Sequence, residues 1–193
     1  MPALGHSQRP QGRSARVREA VLRAALELID SDAGSPTLYD IADRAGVAPS
    51  SIYRRWGTWE NVLADALLES SELAIPIPDS GSLRADLITF ATSVADYLTT
   101  PRGAGLLRNV GSMQPSPEVA AALQQFWAAR FELARVMVDR AVERGELPVD
   151  IDALLLLELV IAPVNFRHLT SAADPRADIE ARVDLLFARV GGR

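Results

Sequence analysis

The sequence of 193 residues contains no cysteine and only two histidines. The absence of cysteine excludes disulfide bonds, thiolate nucleophiles and cysteine-based zinc sites, and it is compatible with a reducing compartment. His6 and His168 lie far apart, and neither a Gly-rich phosphate loop nor a His-x-x-x-His pair is present. Because few candidate catalytic residues remain, a small helical enzyme is a remote alternative, and we expect no metal and no cofactor.

Long apolar runs are also missing. The most apolar segment, residues 153–164, contains Glu158 and Pro163 and is shorter than the roughly 20 residues of a membrane span. Since no secretory signal is recognisable at the start of the chain either, we expect a cytoplasmic protein with no membrane partner. The composition of 48% hydrophobic and 23% charged residues suffices for a core, and the length fits a small domain joined to a larger one.

Lysine is absent as well, so every basic residue is an arginine, and the charge is distributed unevenly. Residues 1–62 carry eight arginines against seven acids, whereas residues 63–193 carry twelve against eighteen. The first 18 residues contain no acid and four arginines, namely Arg9, Arg13, Arg16 and Arg18. They predict a basic arm ahead of the first helix, of a kind that can bind a nucleic acid.

Gly and Pro divide the chain into stretches with helical spacing of apolar residues, and no segment alternates with the period of a strand. We therefore predict an all-α fold of about nine helices, with a small domain at residues 14–60 and a larger one at residues 61–193. The first apolar stripe runs from Val17 towards Gly34. Beyond the small domain, the helices are expected at about 58–73, 82–100, 102–110, 117–145, 150–169 and 175–190.

The most informative segment is residues 37–56. Thr37 is placed to cap a short helix, with Asp40 three residues later in a capping-box arrangement. Gly46 stands where a helix commonly ends in the left-handed conformation, and it is also small where two helices approach each other. Pro49 fits the first turn of a further helix, about Pro49 to Trp56. Two short helices joined by such a turn form a helix-turn-helix unit, which places its second helix in the DNA major groove.

The second helix of this unit would present polar side chains to DNA. Its outward positions are Pro49, Ser50, Ser51, Tyr53 and Arg54. Hydroxyl groups suit phosphates or base edges, and Arg54 could pair with a guanine through two hydrogen bonds. An alternative stays open for each of two aromatic residues: the side chain of Tyr53, and that of Trp56, could belong to the core of the small domain. Arg44 and Arg55 are expected to be solvated or ion-paired.

From about Val17 to Leu67 the chain resembles the TetR family of bacterial transcriptional regulators. The resemblance rests on the apolar first helix, residues 37–46, the segment Ser-Ile-Tyr-Arg-Arg-Trp at residues 51–56 and Glu-Asn-Val-Leu at residues 60–63. It implies phosphate contacts by Thr37, Tyr39, Ser51 and Tyr53, and base contacts by Ser50, Tyr53 and Arg54. Members often carry lysines near the positions of Pro49 and Trp59, which this chain lacks. The helix N-terminus after Thr58 and the arm Arg9–Arg18 could compensate by contacting phosphates or the minor groove.

The resemblance further implies that the larger domain dimerises through its last two long helices and encloses a ligand pocket. The helix near residues 150–169 is apolar around most of its circumference, so more than one of its faces must be buried, either in a dimer or inside a monomer. The residues expected at the dimer interface are Leu155, Leu159, Phe166, Ile179, Val183, Leu186 and Val190. The candidate pocket residues are Phe90, Val94, Tyr97, Leu106, Met113, Leu123, Trp127 and Arg130.

Two interpretations of the pocket residues remain open. Aromatic side chains at helical spacing can form ordinary core in place of a ligand site. Arg130 could anchor an anion or pair with Glu118 or Glu132 at the surface.

The sequence thus predicts a homodimeric regulator that binds double-stranded DNA at a pseudo-palindromic operator. We expect a repressor that an unknown small apolar or amphipathic effector releases from DNA. A regulator of the same fold that answers to a protein partner, or to no ligand, is the alternative.

Overall fold

The structure is a computed structural model that describes residues 10–31, 36–104, 117–170 and 174–190. Within these ranges it contains eight α-helices and no strand, and residues 101–104 form a further helical turn. The helices are α1 Pro10–Asp30, α2 Leu38–Ala45, α3 Pro49–Trp56, α4 Trp59–Ala74, α5 Leu83–Thr99, α6 Pro117–Glu143, α7 Ala153–Thr170 and α8 Ile179–Val190. The all-α prediction is confirmed. The chain divides into two compact units between Ala66 and Leu67, within α4.

In the first unit, α1 to α3 and the start of α4 enclose one apolar core. The stripe on α1 contributes Val21, Ala24, Ala25 and Leu28, and the following helices add Ile41, Ala42, Ile52, Trp56, Val62 and Ala66. Helix α1 starts at Pro10, so the part of the predicted arm at residues 10–18 is helical and the prediction of an arm ahead of the helix is wrong there. Arg9 and the side chain of Arg13 lie outside the described residues.

The turn between α2 and α3 has the expected chemistry. The Thr37 side chain accepts a hydrogen bond from the Asp40 amide, and the Asp40 carboxylate accepts one from the Thr37 amide, which forms a capping box. Gly46 ends α2 with a φ of 64°, and Val47 N–H donates to the Ala42 carbonyl at 3.0 Å. A Cβ atom at Gly46 would contact nothing, so the backbone conformation, and not crowding, calls for glycine here.

In the second unit, α5 packs against α6, α7 and α8. Its buried face carries Leu83, Leu87, Phe90, Ala91, Val94 and Leu98. Ser82 gives no side-chain cap, but the carboxylate of Glu146 accepts a hydrogen bond from the Leu83 amide at 2.8 Å. Glu146, which is 63 positions away in the chain, therefore provides an acceptor for one of the free amide groups in the first turn of α5.

Helix α7 is apolar on two faces. One face lies in the core through Leu156, Leu157, Val160, Ile161 and Val164. The other face leaves large apolar side chains exposed at Leu154, Leu155, Leu159, Phe166 and Leu169. By length and composition alone this helix could also cross a membrane; 28% of the span is buried within the structure, and one such helix is weak evidence for a membrane protein.

The predicted interface stripe on α8 needs a correction. Ile179 and Val183 are buried in the core of their own protomer, whereas Leu186 packs against that core but is only half-buried. Leu185 is a large apolar residue of α8 that is exposed. The stripe was predicted correctly as apolar, but an apolar stripe does not distinguish the core of one chain from an interface. The side chain of Val190 lies outside the described ones.

Candidate nucleic-acid interface and ligand site

Helix α3 is held in place by its buried side. Ile52 is fully buried and Trp56 is only 7% exposed, and both belong to the core of the first unit. The Trp56 indole N–H donates to Oδ2 of Asp65 at 3.0 Å, and Nδ2 of Asn61 donates to the Trp56 carbonyl at 2.7 Å. Trp56 is thus a core residue, and two polar residues of α4 fix the end of α3.

The opposite side of α3 is open to solvent. Pro49, Ser50, Tyr53 and Arg54 are exposed, and Ser51 is half-buried. The Tyr53 side chain is 67% exposed, which excludes it from the core of the first unit. The predicted outward positions therefore share one face, because the buried Ile52 and Trp56 lie four residues apart on the other.

The arginines of the first unit differ in their contacts. Arg44 pairs with Glu27 at 3.6 Å. Arg55 donates to the Ser14 hydroxyl at 3.4 Å and lies over the Trp56 ring, 5.1 Å from its centroid. The ion pair of Arg44 and the exposed position of Arg55 match the expectation that these side chains are solvated or ion-paired. Arg54, in contrast, is exposed and forms no ion pair with any residue in the described part of the chain. Its guanidinium is therefore open to solvent on the exposed side of α3.

The residues around α3 add polar groups. Tyr39, near the start of α2, is 73% exposed. Thr37 is exposed, and its hydroxyl is engaged with Asp40 at 2.7 Å; these hydrogen bonds hold the pKa of Asp40 below its ordinary value. The half-buried Thr58 caps α4 by accepting a hydrogen bond from the Asn61 amide at 3.3 Å. Thr37 and Thr58 thus act as helix caps in this structure.

Sequence reasoning did not identify Asn61 and Asp65 as residues that position α3. Their spacing of four residues puts both on the same side of α4, which is the signal that could have found them. Which partner they meet depends on how α3 and α4 pack, and only the structure shows the contacts with Trp56.

The candidate pocket residues of the second unit are partly brought together. Phe90, Val94 and Tyr97 lie on the buried face of α5, and Trp127 of α6 is half-buried against the same core. Arg130 is only 4% exposed; its guanidinium carbon lies 5.3 Å from the centroid of the Phe90 ring. Leu106 and Met113, together with the side chain of Leu123, lie outside the described residues.

The surface alternative for Arg130 is wrong. Its Nη2 atom donates to the Ile75 carbonyl at 2.7 Å inside the second unit. Glu132, one of the two acids considered as a partner, instead lies 3.7 Å from Arg135 at the surface. Glu118 has no described side chain.

Acidic and histidine side chains do not gather into a metal site among the described residues. No group of three or more His, Asp or Glu side chains in that part of the chain could hold a metal ion. The carboxylate of Asp139 pairs with Arg135 at 3.4 Å on an exposed helix face. The carboxylate of Asp139 is therefore part of a solvated surface.

Comparison with known proteins gives one family. The family model described as "Tetracyclin repressor-like, C-terminal domain" matches residues 77–188. The chain is similar to the HTH-type transcriptional regulator AqdR of Rhodococcus erythropolis, with 40% identity over 78% of this chain and 73% of AqdR.

Two solved structures are also similar. The TetR family transcription regulator SCO0332 has a TM-score of 0.77 and 28% identity, and the match covers 90% of this chain and 97% of that one. The transcriptional regulator FadR of Bacillus subtilis, solved in complex with stearoyl-CoA, has a TM-score of 0.61 and 18% identity, with 91% and 98% covered.

Proposed function

Because the chain belongs to the TetR family of helix-turn-helix transcriptional regulators, we propose that it is a homodimeric repressor of the bacterial cytoplasm. It binds a pseudo-palindromic DNA operator and leaves it when a small apolar or amphipathic effector binds the second unit. The observation that carries this proposal is the exposed row Ser50, Tyr53 and Arg54 on α3, opposite the buried Ile52 and Trp56.

In this proposal α3 is the recognition helix and enters the major groove. Arg54 donates two hydrogen bonds to a guanine, while Ser50 and Tyr53 contact base edges. Ser51 and the exposed Tyr39 contact phosphates, which set the register of the protein on the duplex. The proposed contacts of Thr37, Pro49 and Thr58 complete this surface through the helix N-termini to which they belong.

Dimerisation uses the exposed apolar face of α7. Leu159 is 50% exposed and Phe166 is 66% exposed, and Leu155 lies on the same helix. Large apolar side chains grouped on one exposed helix face are typical of a protein interface. A twofold dimer then presents two recognition helices to two half-sites, whose spacing depends on the separation of the helices.

An effector completes the proposed cycle. FadR was solved with stearoyl-CoA, so in that protein this fold accommodates a small molecule with a long apolar part. The buried aromatic residues Phe90 and Tyr97 offer a comparable apolar environment here. A ligand that binds more tightly to a dimer whose recognition helices do not match the half-site spacing would release DNA. The size of this effect is set by the difference between the ligand's affinities for the two forms of the dimer.

Selection of bound sequences from random duplex DNA tests the proposal. We expect one enriched pseudo-palindrome, bound by a particle with the mass of two chains. A single unpaired half-site, or no enrichment, would contradict it. A thermal shift screen against metabolites separates the ligand-controlled repressor from a regulator that answers to a protein partner or to no ligand, since a specific ligand raises the apparent stability.

A further inference from the structure

Arg130 is a buried cation without a buried anion beside it. Its side chain is 4% exposed, and no carboxylate of the described residues lies within ion-pair distance. Nη2 donates to the Ile75 carbonyl at 2.7 Å, and the ring of Phe90 covers the guanidinium. Nε makes no hydrogen bond within the described structure. One strong donor of a buried charged group is therefore unused.

Burial of such a group is unfavourable unless it is paired. Removing the guanidinium from water lowers the pKa of Arg130, and the charges of Glu72 and Tyr97 oppose this only in part. The group nevertheless stays protonated at neutral pH, because arginine titrates far above that range. One carbonyl and one ring face compensate incompletely for the lost hydration, so an anion at Nε would be strongly favoured.

The surroundings of Arg130 are aromatic. Phe126 and Trp127 precede it by four and three residues, so they lie on the same side of α6. Their rings pack edge to face at 5.1 Å, and Phe131 adds a third ring 5.9 Å from Trp127. The aromatic residues next to Arg130 in α6 therefore form one cluster of rings.

We propose that Arg130 binds the carboxylate of the effector and that the effector is an organic anion with an apolar or aromatic body. This inference rests on the proposed function and specifies its ligand. The Nε and Nη2 atoms form the side of the guanidinium that binds a carboxylate through two parallel hydrogen bonds. The body of the ligand packs against Phe90 and the aromatic residues of α6.

The same geometry links the ligand to α4. Nη2 carries two N–H groups, so a carboxylate can take Nε and one of them while the Ile75 carbonyl accepts from the other. Ile75 directly follows Ala74, the last residue of α4, and α4 begins at Trp59 in the first unit. A bound anion would therefore lie next to the residue that follows the helix both units share.

Matched pairs of ligands test the charge requirement. The probes are octanoate, cinnamate and naphthylacetate, each compared with its primary amide by calorimetry on the 193-residue chain. We expect at least one carboxylate to bind roughly ten- to a hundredfold more tightly than its amide, as a hydrogen bond to a charged group implies. Acetate and inorganic phosphate, which lack the apolar body, should bind weakly. Equal binding within every pair, or no binding of any carboxylate, would overturn the proposal.

Variants then assign the preference to Arg130. Arg130→Gln should abolish the difference between carboxylate and amide, whereas Arg130→Lys, which keeps the charge, should retain part of it. Arg135→Gln is the matched control, because Arg135 lies on the same helix but pairs with Glu132 and Asp139 at the surface. A purely structural Arg130 would leave the preference intact in Arg130→Gln. If Arg130→Gln fails to fold, Arg130→Lys serves as the test. Lysine cannot donate two parallel hydrogen bonds to a carboxylate, so an unchanged preference for carboxylate over amide in Arg130→Lys would contradict the proposal.

Operator binding distinguishes a failure of this inference from a failure of the proposed function. If the unliganded protein binds its selected operator but prefers no carboxylate, this inference fails and the proposed function stands. If the protein selects no operator, the proposed function fails. A carboxylate that binds through Arg130 and also weakens operator binding supports both.

Discussion

The indole N–H of Trp56 donates to the carboxylate of Asp65 at 3.0 Å and so joins the last residue of α3 to α4. Trp56→Phe should lower the free energy of unfolding by about 1 kcal/mol, because it removes this hydrogen bond but keeps an aromatic ring. Trp56→Ala should lower it by about 3–5 kcal/mol through the cavity it creates. Urea denaturation measures both, and Tyr53→Ala, an exposed change three residues away, should alter stability by less than about 0.5 kcal/mol.

Arg54→Ala should weaken operator binding without unfolding the protein. Loss of a base contact through two hydrogen bonds reduces the binding free energy by about 1–3 kcal/mol and relaxes specificity at one base pair. Fluorescence anisotropy with the selected operator and its single-base variants measures both effects. Arg44→Ala is the control, since Arg44 is also exposed but pairs with Glu27. If the two variants bind DNA equally well, Arg54 does not read a base.

Gly46→Ala should destabilise the first unit through its backbone alone. The residue has a φ of 64°, and an added Cβ atom would meet no other atom. The left-handed conformation costs about 1–2 kcal/mol for a residue with a side chain, and asparagine tolerates it better than alanine. We therefore expect a lower thermal midpoint for Gly46→Ala than for Gly46→Asn. The reverse order would show that space, and not conformation, limits this position.

The capping box should make stability depend on pH. Hydrogen bonds from Thr37 lower the pKa of Asp40, so the folded protein binds this proton less readily than the unfolded chain. The stabilisation is therefore complete above the ordinary carboxyl pKa and is lost as the pH falls through the lowered value. The difference in urea midpoint between the wild type and Thr37→Ala should shrink in acid. In an Asp40→Asn background, the effect of Thr37→Ala should be independent of pH.

Leu159→Glu should produce monomers that fold but do not bind the operator. A buried charge at an apolar interface is strongly unfavourable, whereas the exposed position in a free protomer tolerates it. Sedimentation equilibrium should give the mass of one chain, with unchanged helical content by circular dichroism. Val149→Glu, at another exposed apolar residue of the second unit, is the control and should remain dimeric. A dimeric Leu159→Glu protein would place the interface elsewhere.

Local features of the fold were predictable because they depend on neighbours in the chain. The capping box at Thr37, the left-handed end at Gly46 and the start of α3 at Pro49 each follow from the chemistry of a few adjacent residues. The outward positions Tyr53 and Arg54 followed from helical spacing once the buried face was known.

Contacts between distant residues were not predictable in the same way. The sequence predicted that Ile179 and Val183 were apolar and shared a face, but not that this face belongs to their own protomer. It offered Arg130 as either a surface or a pocket residue, and the hydrogen bond to Ile75 was invisible because 55 residues separate the two.

The amino-acid sequence alone determined the helices, their caps, the helix-turn-helix unit and the side chains that it presents, since short-range sterics and hydrogen bonding act within a few residues. The tertiary structure decided which apolar stripes pack together, which polar residues hold α3 in place, and that Arg130 is buried with no carboxylate of the described residues at ion-pair distance. Those outcomes depend on the packing of side chains from distant segments, where small differences in shape and burial select one arrangement among several that the same pattern of residues allows.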